Sequence, residues 1–249
     1  MTKVATIIQA RMGSSRLPGK VLEHVAGEPV LHWVALRASQ ATAHGELVVA
    51  TSDLSRDDRI ADWCAGAGIP CFRGSENDVL DRYYEASRWI GADVIVRVTA
   101  DCPLLDPGIV DDMIEVHVRE SADYVTMEGL PRGIAQETLS HEALNTSWRE
   151  ARAPAEREHV ITYVVDRPER FKVLALPAPA DLNLPAWRIT LDDEDDLRLL
   201  RSLADIMQEE LFNLATRDII ELIRQDPALI RLACRPGGSE NQSPLPEAS

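Results

Sequence analysis

Lysine is nearly missing from this 249-residue chain, which uses it only at Lys3, Lys20 and Lys172. Against 26 Lys+Arg stand 41 Asp+Glu, a net charge of -15. So acidic a chain lacks the broad basic face that nucleic-acid binding requires, and that partner is excluded. Cysteine is also scarce. Cys64, Cys71, Cys102 and Cys234 are scattered with no Cys-x-x-Cys spacing, and the six histidines show no paired ligand spacing. Zinc is therefore excluded, the thiols read as small buried or incidental groups of a reducing compartment, and any metal should be a hard cation held by carboxylates. No apolar run approaches the ~20 residues that span a bilayer, and no charged-then-apolar leader opens the chain. The expectation is a cytoplasmic protein with no membrane partner.

The cations that are present are unevenly placed. Residues 1–22 hold Lys3, Arg11, Arg16 and Lys20 and no acid. Three of them sit in a loop with Gly13, Ser14, Ser15, Pro18 and Gly19, just after the β-branched apolar run 4–8. A buried strand emptying into a glycine-rich basic loop is where open α/β sheets bind phosphates. A basic island in an acidic chain points to a small polyanion. The loop is not a Walker A motif: five residues separate Gly13 from Gly19, and Val21 follows Lys20 where a Ser or Thr would hold magnesium. The residues leave two readings, a phosphate cradle or a surface turn with solvated cations. Three cations so close behind a buried strand favour the cradle, and any metal ligands must then come from elsewhere.

Apolar periodicity predicts helices over residues 30–41, 57–67, 79–90, 108–118 and 141–151, and strands over 47–50, 71–72, 93–98, 124–125, 134–139 and 187–191. A helix from 192 runs to about 211, and another, opened by Glu158-His159, ends at Pro168. The alternation predicts an α/β fold: one three-layer α/β/α domain over residues 1–234 with a mostly parallel sheet. Residues 235–249, rich in Gly, Ser, Pro and Glu, read as a disordered tail.

Two aspartates stand at strand ends. Asp106 serves as a helix cap, but Asp101 has no such duty and is either a turn former before Cys102-Pro103 or a hard metal ligand facing a triphosphate. Asp192 occupies a strand-to-helix junction, and the acids of 193–196 read as solvated residues of a first helical turn, favoured there by the macrodipole. Ser52 lies just past a strand's carboxyl end, where it is a turn cap or a ligand contact. Ser75 or Asn77 is the expected cap of the 79–90 helix.

Residues 8–22, Ile-Gln-Ala-Arg-Met-Gly-Ser-Ser-Arg-Leu-Pro-Gly-Lys-Val-Leu, strongly resemble the opening motif of the cytidylyltransferases that activate acidic sugars, the CMP-sialic acid and CMP-KDO synthetase family, and most closely its spore coat polysaccharide biosynthesis protein F branch. The resemblance implies a nucleotide-diphospho-sugar transferase (Rossmann-like) fold with a mixed sheet. It also implies CTP and an acidic sugar or related acceptor as substrates, Mg2+ as cofactor, a role in polysaccharide biosynthesis, and a homodimer exchanging contacts over about residues 130–170.

Carried over by motif, Ala10, Arg11, Gly13, Ser14, Arg16 and Lys20 hold the nucleotide, with Arg11, Lys20 and Asp101 as the catalytic set. Gly74-Ser75 and residues 78–83 match a second motif in which Arg82, and less directly Arg73, selects cytosine. Ser52 runs along the base, and Arg97 joins the nucleotide contacts. Asp101 matches the aspartate of a Gly-Asp-x-Pro motif, with Ala100 in place of the glycine. Asp192 falls in the closing motif that appears here as Arg188 to Leu197, and these two aspartates are the implied metal ligands. Glu137 and His159 are the implied acceptor contacts. Many relatives carry an aspartate where Ala135 stands, a departure that bears on the acceptor. A sugar nucleotidyltransferase using UTP or GTP is the first alternative, and a non-catalytic nucleotide-binding protein is the second.

Overall fold

Both faces of a seven-stranded sheet are covered by helices in the computed structural model, which describes residues 2–134 and 136–235. The chain runs through β1 (Val4–Gln9), a small hairpin of β2 (His24–Val25) and β3 (Glu28–Pro29), α1 (Val30–Gln40), β4 (Glu46–Ser52), α2 (Asp58–Ala67), β5 (Cys71–Gly74) and α3 (Val79–Ile90). It continues with β6 (Val94–Thr99), α4 (Pro107–Glu120), β7 (Tyr124–Glu128), β8 (Glu137–Ser140), α5 (His141–Glu150), α6 (Pro154–Glu158), α7 (Thr162–Val165) and β9 (Val173–Pro177). Three helices close the described chain: α8 (Glu194–Met207), α9 (Thr216–Arg224) and α10 (Pro227–Ala233).

The sheet order is β5-β4-β1-β6-β8-β7-β9, and β8 is antiparallel to both its neighbours while every other pairing is parallel. The expected three-layer, mostly parallel mixed sheet is thus the observed fold. The apolar continuity of the central strands follows from cover on both sides. Ile8, Val49 and Val96 share one core with side chains of α1, α2, α4 and α8, whereas Ala5, Ile7, Val48 and Ile95 share the other with side chains of α3 and α5. Each large aliphatic side chain fully buried in these cores contributes roughly 1.5–3 kcal/mol.

From β1 the chain builds β4 and β5 to one side and then crosses to β6 on the other. The loops leaving the carboxyl ends of the neighbouring strands β1 and β6 lie side by side and lead to α1 and α4 on the same face; the carboxyl ends of the strands are the usual ligand position in an open α/β sheet. The loop after β1 is the glycine-rich basic segment; the loop after β6 carries Asp101. Their register is tight, since Gln9 is paired with Thr99 and the Ala100 amide donates to the Gln9 carbonyl at 2.9 Å.

Several local expectations are revised. Residues 187–191 join no sheet, because their amides go to separate places: Arg188 to Ala233 at the end of α10 at 2.9 Å, and Ile189 to Arg132 at 2.8 Å and Leu191 to Asp101 at 2.7 Å in two loops. Asp78, not Ser75 or Asn77, caps α3 by accepting from the Asp81 amide at 2.9 Å, while the Ser75 hydroxyl accepts from the Asp78 amide at 3.2 Å. Glu158 closes α6 and His159 follows as its C-cap, so this pair ends a helix where it was expected to open one. The strand expected over 134–139 is shorter, at Glu137–Ser140. β9, α9 and α10 carried no expectation; β9 is a half-exposed edge strand that ends in Pro177. Arg235, first residue of the expected tail, reaches back to α8. Residues 236–249 and Ala135 lie outside the described residues.

Candidate functional site

The cradle loop is held at both ends and in the middle. The Ala10 amide donates to the Ala50 carbonyl at 3.1 Å, and the Gly19 amide to the Met12 carbonyl at 3.0 Å. Gly19 has φ +75°, a left-handed conformation that a side chain would strain. Between these ties, the Met12 amide donates to Asp57 Oδ1 at 2.7 Å. Asp57 is fully buried, and its other oxygen accepts from the Ser52 hydroxyl. Ser52 is thereby engaged through its side chain in holding the loop, and its carbonyl accepts from Arg73 Nε at 2.9 Å. The Ser14 hydroxyl accepts from the Leu17 amide at 3.3 Å and caps the turn that leads to Lys20.

Lys20 does not point freely out of this loop. Its ammonium donates to Asp101 Oδ2 at 2.8 Å, Asp192 Oδ1 at 2.9 Å and the Leu191 carbonyl at 2.8 Å. Burial favours the neutral amine, but the two carboxylates outweigh it and Lys20 titrates above its ordinary value. Loop and aspartates, separated by 81 and 172 positions in the chain, thus meet at one atom.

Asp192 gathers more positive charge. Arg16, Arg132 and Arg188 each place a guanidinium nitrogen 3.3 Å from its Oδ2. Burial would raise its pKa, yet Lys20, Arg132 and Arg16 hold it below the usual carboxylate range. The segment bearing it is bound to the Asp101 loop through the Leu191 amide and the Thr190 hydroxyl, which donates to the Asp101 carbonyl at 3.0 Å. Gly133 permits the approach of the facing loop: at φ +103°, a Cβ there would lie 2.8 Å from the Thr190 nitrogen. Asp196 revises the expectation of solvated acids after Asp192. It is buried, accepts from the Asp192 amide at 2.7 Å, and is gripped by Arg188 at 3.0 and 2.6 Å.

The donor set suits magnesium. Two carboxylates converge on one point, which the Lys20 ammonium marks as a site for positive charge. Among the described residues no cluster of three or more His, Cys, Asp or Glu side chains could enclose a metal alone. Asp101 and Asp192 would therefore hold an ion that takes its remaining ligands from phosphate and water, as magnesium does.

On the β4–β5 side, Arg82 is fully buried and donates from Nη1 to the Ser75 carbonyl at 2.8 Å, while its Nε and Nη2 find no acceptor among the described residues. Burial lowers its pKa, with the Arg11 charge adding to the effect. Unpaired buried donors are costly and mark a place where a polar ligand would repay the cost. Arg11 itself lies 3.4 Å from Glu158 Oε1. Arg73 serves as a tie, bonded to the Ser52 and Leu54 carbonyls and to Asp58.

On the other side of Asp101 opens a cleft of about 600 Å³, lined among others by Arg97, Thr99, Tyr124, Arg132, Gln136, Glu137, His159 and Thr190. Glu137 and His159, far apart in sequence, face the same space. Arg97 and Glu137 are opposed across the β6–β8 ladder and form an ion pair. Burial lowers the Arg97 pKa, but Glu137 more than restores it, so Arg97 stays fully charged. Sequence reading missed Asp57, Arg132 and Asp196; only Asp196 carried a signal, since it falls inside the closing motif.

A family model described as cytidylyltransferase matches residues 5–211. The spore coat polysaccharide biosynthesis protein SpsF of Bacillus subtilis is 34% identical over 230 residues, covering 88% of this chain and 96% of that protein. A solved cytidylyltransferase from Leptospira borgpetersenii superposes with a TM-score of 0.86 at 31% identity, over 92% of this chain and 97% of that one. A CMP:2-keto-3-deoxy-manno-octonic acid synthetase solved with CTP has the same fold, at a TM-score of 0.62 and 18% identity over 82% of this chain and 99% of that one.

Proposed function

Because this chain belongs to the cytidylyltransferase family, we propose that it transfers CMP from CTP to the hydroxyl of an acidic sugar or related acceptor, with magnesium and with release of pyrophosphate. The setting is the assembly of a surface polysaccharide or glycoconjugate in the cytoplasm, where the chain pairs as a homodimer through residues 130–170. SpsF supports the setting by its name. Among the described residues, no helix is long and apolar enough to cross a membrane.

The observation that carries the reading is the meeting of Lys20, Asp101 and Asp192 between the cradle loop and the cleft. Asp101 and Asp192 would hold magnesium, which would supply Lewis-acid polarisation of the α-phosphate. The Lys20 ammonium, bonded to both aspartates, stands at the same point. Together with Arg11 and Arg16 it neutralises the β- and γ-phosphates, where charge grows as the bond to the α-phosphorus breaks. The backbone amides at Gly13 and Ser14 cradle the same oxygens. Arg82 donates its two unpaired N–H groups to the base, and its fixed fork fits the adjacent acceptors of cytosine. The acceptor lies in the cleft beside Glu137 and His159, with its hydroxyl directed at the Asp101 end.

Pyrophosphate release measured with CTP, UTP, GTP and ATP against a panel of sugar acids, amino sugars and neutral sugars tests this. Turnover with CTP alone is the expected result. Turnover with another nucleotide in its place, or binding of CTP without turnover on any acceptor, contradicts it.

A further inference from the structure

Beyond residue 211, where the family match stops, the chain folds α9 and α10 and returns to the site. Arg235, the last described residue, places Nη1 2.7 Å from Asp195 Oδ2 and Nη2 3.1 Å from Asp193 Oδ1 and 2.5 Å from Asp196 Oδ1. Just before it, the Ala233 carbonyl accepts the Arg188 amide at 2.9 Å. Asp196, fully buried in its side chain, is thus clasped by two guanidinium groups, and its Oδ2 accepts the backbone amides of Asp192 at 2.7 Å and Asp193 at 3.2 Å. Asp193 in turn caps α8, taking the amides of Asp195 and Asp196 at 3.0 Å each.

We propose that Arg235 is a positioning residue for the reaction: the C-terminal segment clamps the α8 turn through Asp196 and so fixes the backbone from which Asp192 reaches the site. An arginine fork can grip three carboxylates at once, which a lysine's single nitrogen cannot match. Without the clamp, Asp196 keeps Arg188, which already also contacts Asp192, and the outer side of the turn loses its tie. The carboxylate oxygens of Asp192 lose their fixed aim, while the apolar side chains of α8 and α10 keep their packing. This inference rests on Asp192 being a metal ligand.

The test uses the full chain with Arg235→Ala and Arg235→Lys, and Asp192→Asn as reference. Mn2+ binding in the presence of CTP is read from the paramagnetic signal of the free ion, and exchange of the Asp192 and Asp193 amide hydrogens is measured in parallel. Arg235→Ala should weaken Mn2+ binding about tenfold and speed exchange at both amides, with a melting temperature within a few degrees of the parent; Arg235→Lys should recover part of the loss. Unchanged amide protection in Arg235→Ala overturns the clamp, and so does a lowered melting temperature with Mn2+ binding intact. Mn2+ binding unaffected by Asp192→Asn overturns instead the assignment of Asp192 as a ligand, while the amide exchange still reports on the clamp.

Discussion

Lys20 Nζ and Asp101 Oδ2, 81 positions apart in the chain, lie 2.8 Å from one another at the carboxyl end of the β1–β6 pair. The cradle was expected to be half of a site, with its metal ligands elsewhere. The structure adds that cation and ligands are already joined, because Lys20 bridges the two carboxylates that a divalent ion would take.

Asp101→Asn should abolish turnover, by at least about a hundredfold, since a neutral amide is a poor ligand for a hard cation. Lys20 keeps Asp192 and the Leu191 carbonyl, so the loss of stability should not exceed about 1.5–3 kcal/mol, the scale of one charged hydrogen bond. Steady-state pyrophosphate release alongside urea unfolding checks both. Activity within fivefold of the parent would remove Asp101 from the metal set.

Replacing Arg82 by Met should separate folding from binding. Two of its buried donors have no acceptor among the described residues, so an apolar side chain of similar length removes a desolvation cost while losing one bond to Ser75. Stability should change by less than about 1 kcal/mol or rise. The gain in melting temperature on adding CTP, about 2.7 kcal/mol at a hundredfold excess over Kd in the parent, should largely disappear. An unaltered CTP response contradicts the assignment.

Asp57→Ala removes the acceptor of the Met12 amide and of the Ser52 hydroxyl in one step. Both donors are left in a buried place, so a cost of about 2–4 kcal/mol is expected, together with a rise in the KM for CTP as the loop loosens. Chemical unfolding and initial rates report the two effects. A destabilised enzyme with an unchanged KM would show that the loop holds its shape without this tie.

Of these groups, the ones that the sequence announced are those whose role is local. The loop after β1, the cap by Asp106 of α4 and the strand-end position of Asp101 follow from spacing and turn chemistry. Asp57 was illegible, because Met12, 45 positions away, is brought to it by the packing of two neighbouring loops, and its local bond to the Ser52 hydroxyl has no distinctive spacing. Asp196 looked like one more exposed acid in an acidic run; its burial depends on Arg188 and on Arg235, brought in by helices with no motif. Residues 187–191 have the composition of a strand, but their amides serve the end of α10 and two loops, and no local pattern encodes that.

Stability should fall in acid through a residue remote from the site. Burial pushes His117 down to about 4, with Asp123 opposing, and its Nδ1 lies 2.9 Å from the Thr138 hydroxyl. Between about pH 6.5 and 4 the unfolded chain binds a proton that the folded one refuses, so stability is full above that window and falls as pH drops through it, by roughly 3 kcal/mol in all. His117→Gln should flatten the slope of unfolding free energy between pH 7 and 4.5. An equal slope in both proteins would place the acid sensitivity elsewhere.

Calorimetric titration of CTP into the full chain, with and without Mg2+, tests the central claim without needing the acceptor. If Asp101 and Asp192 hold the ion that the triphosphate completes, Mg2+ should tighten CTP binding at least about tenfold, near 1.4 kcal/mol, and Asp192→Asn should erase that gain. Equal CTP affinity with and without Mg2+ in the parent protein would contradict it.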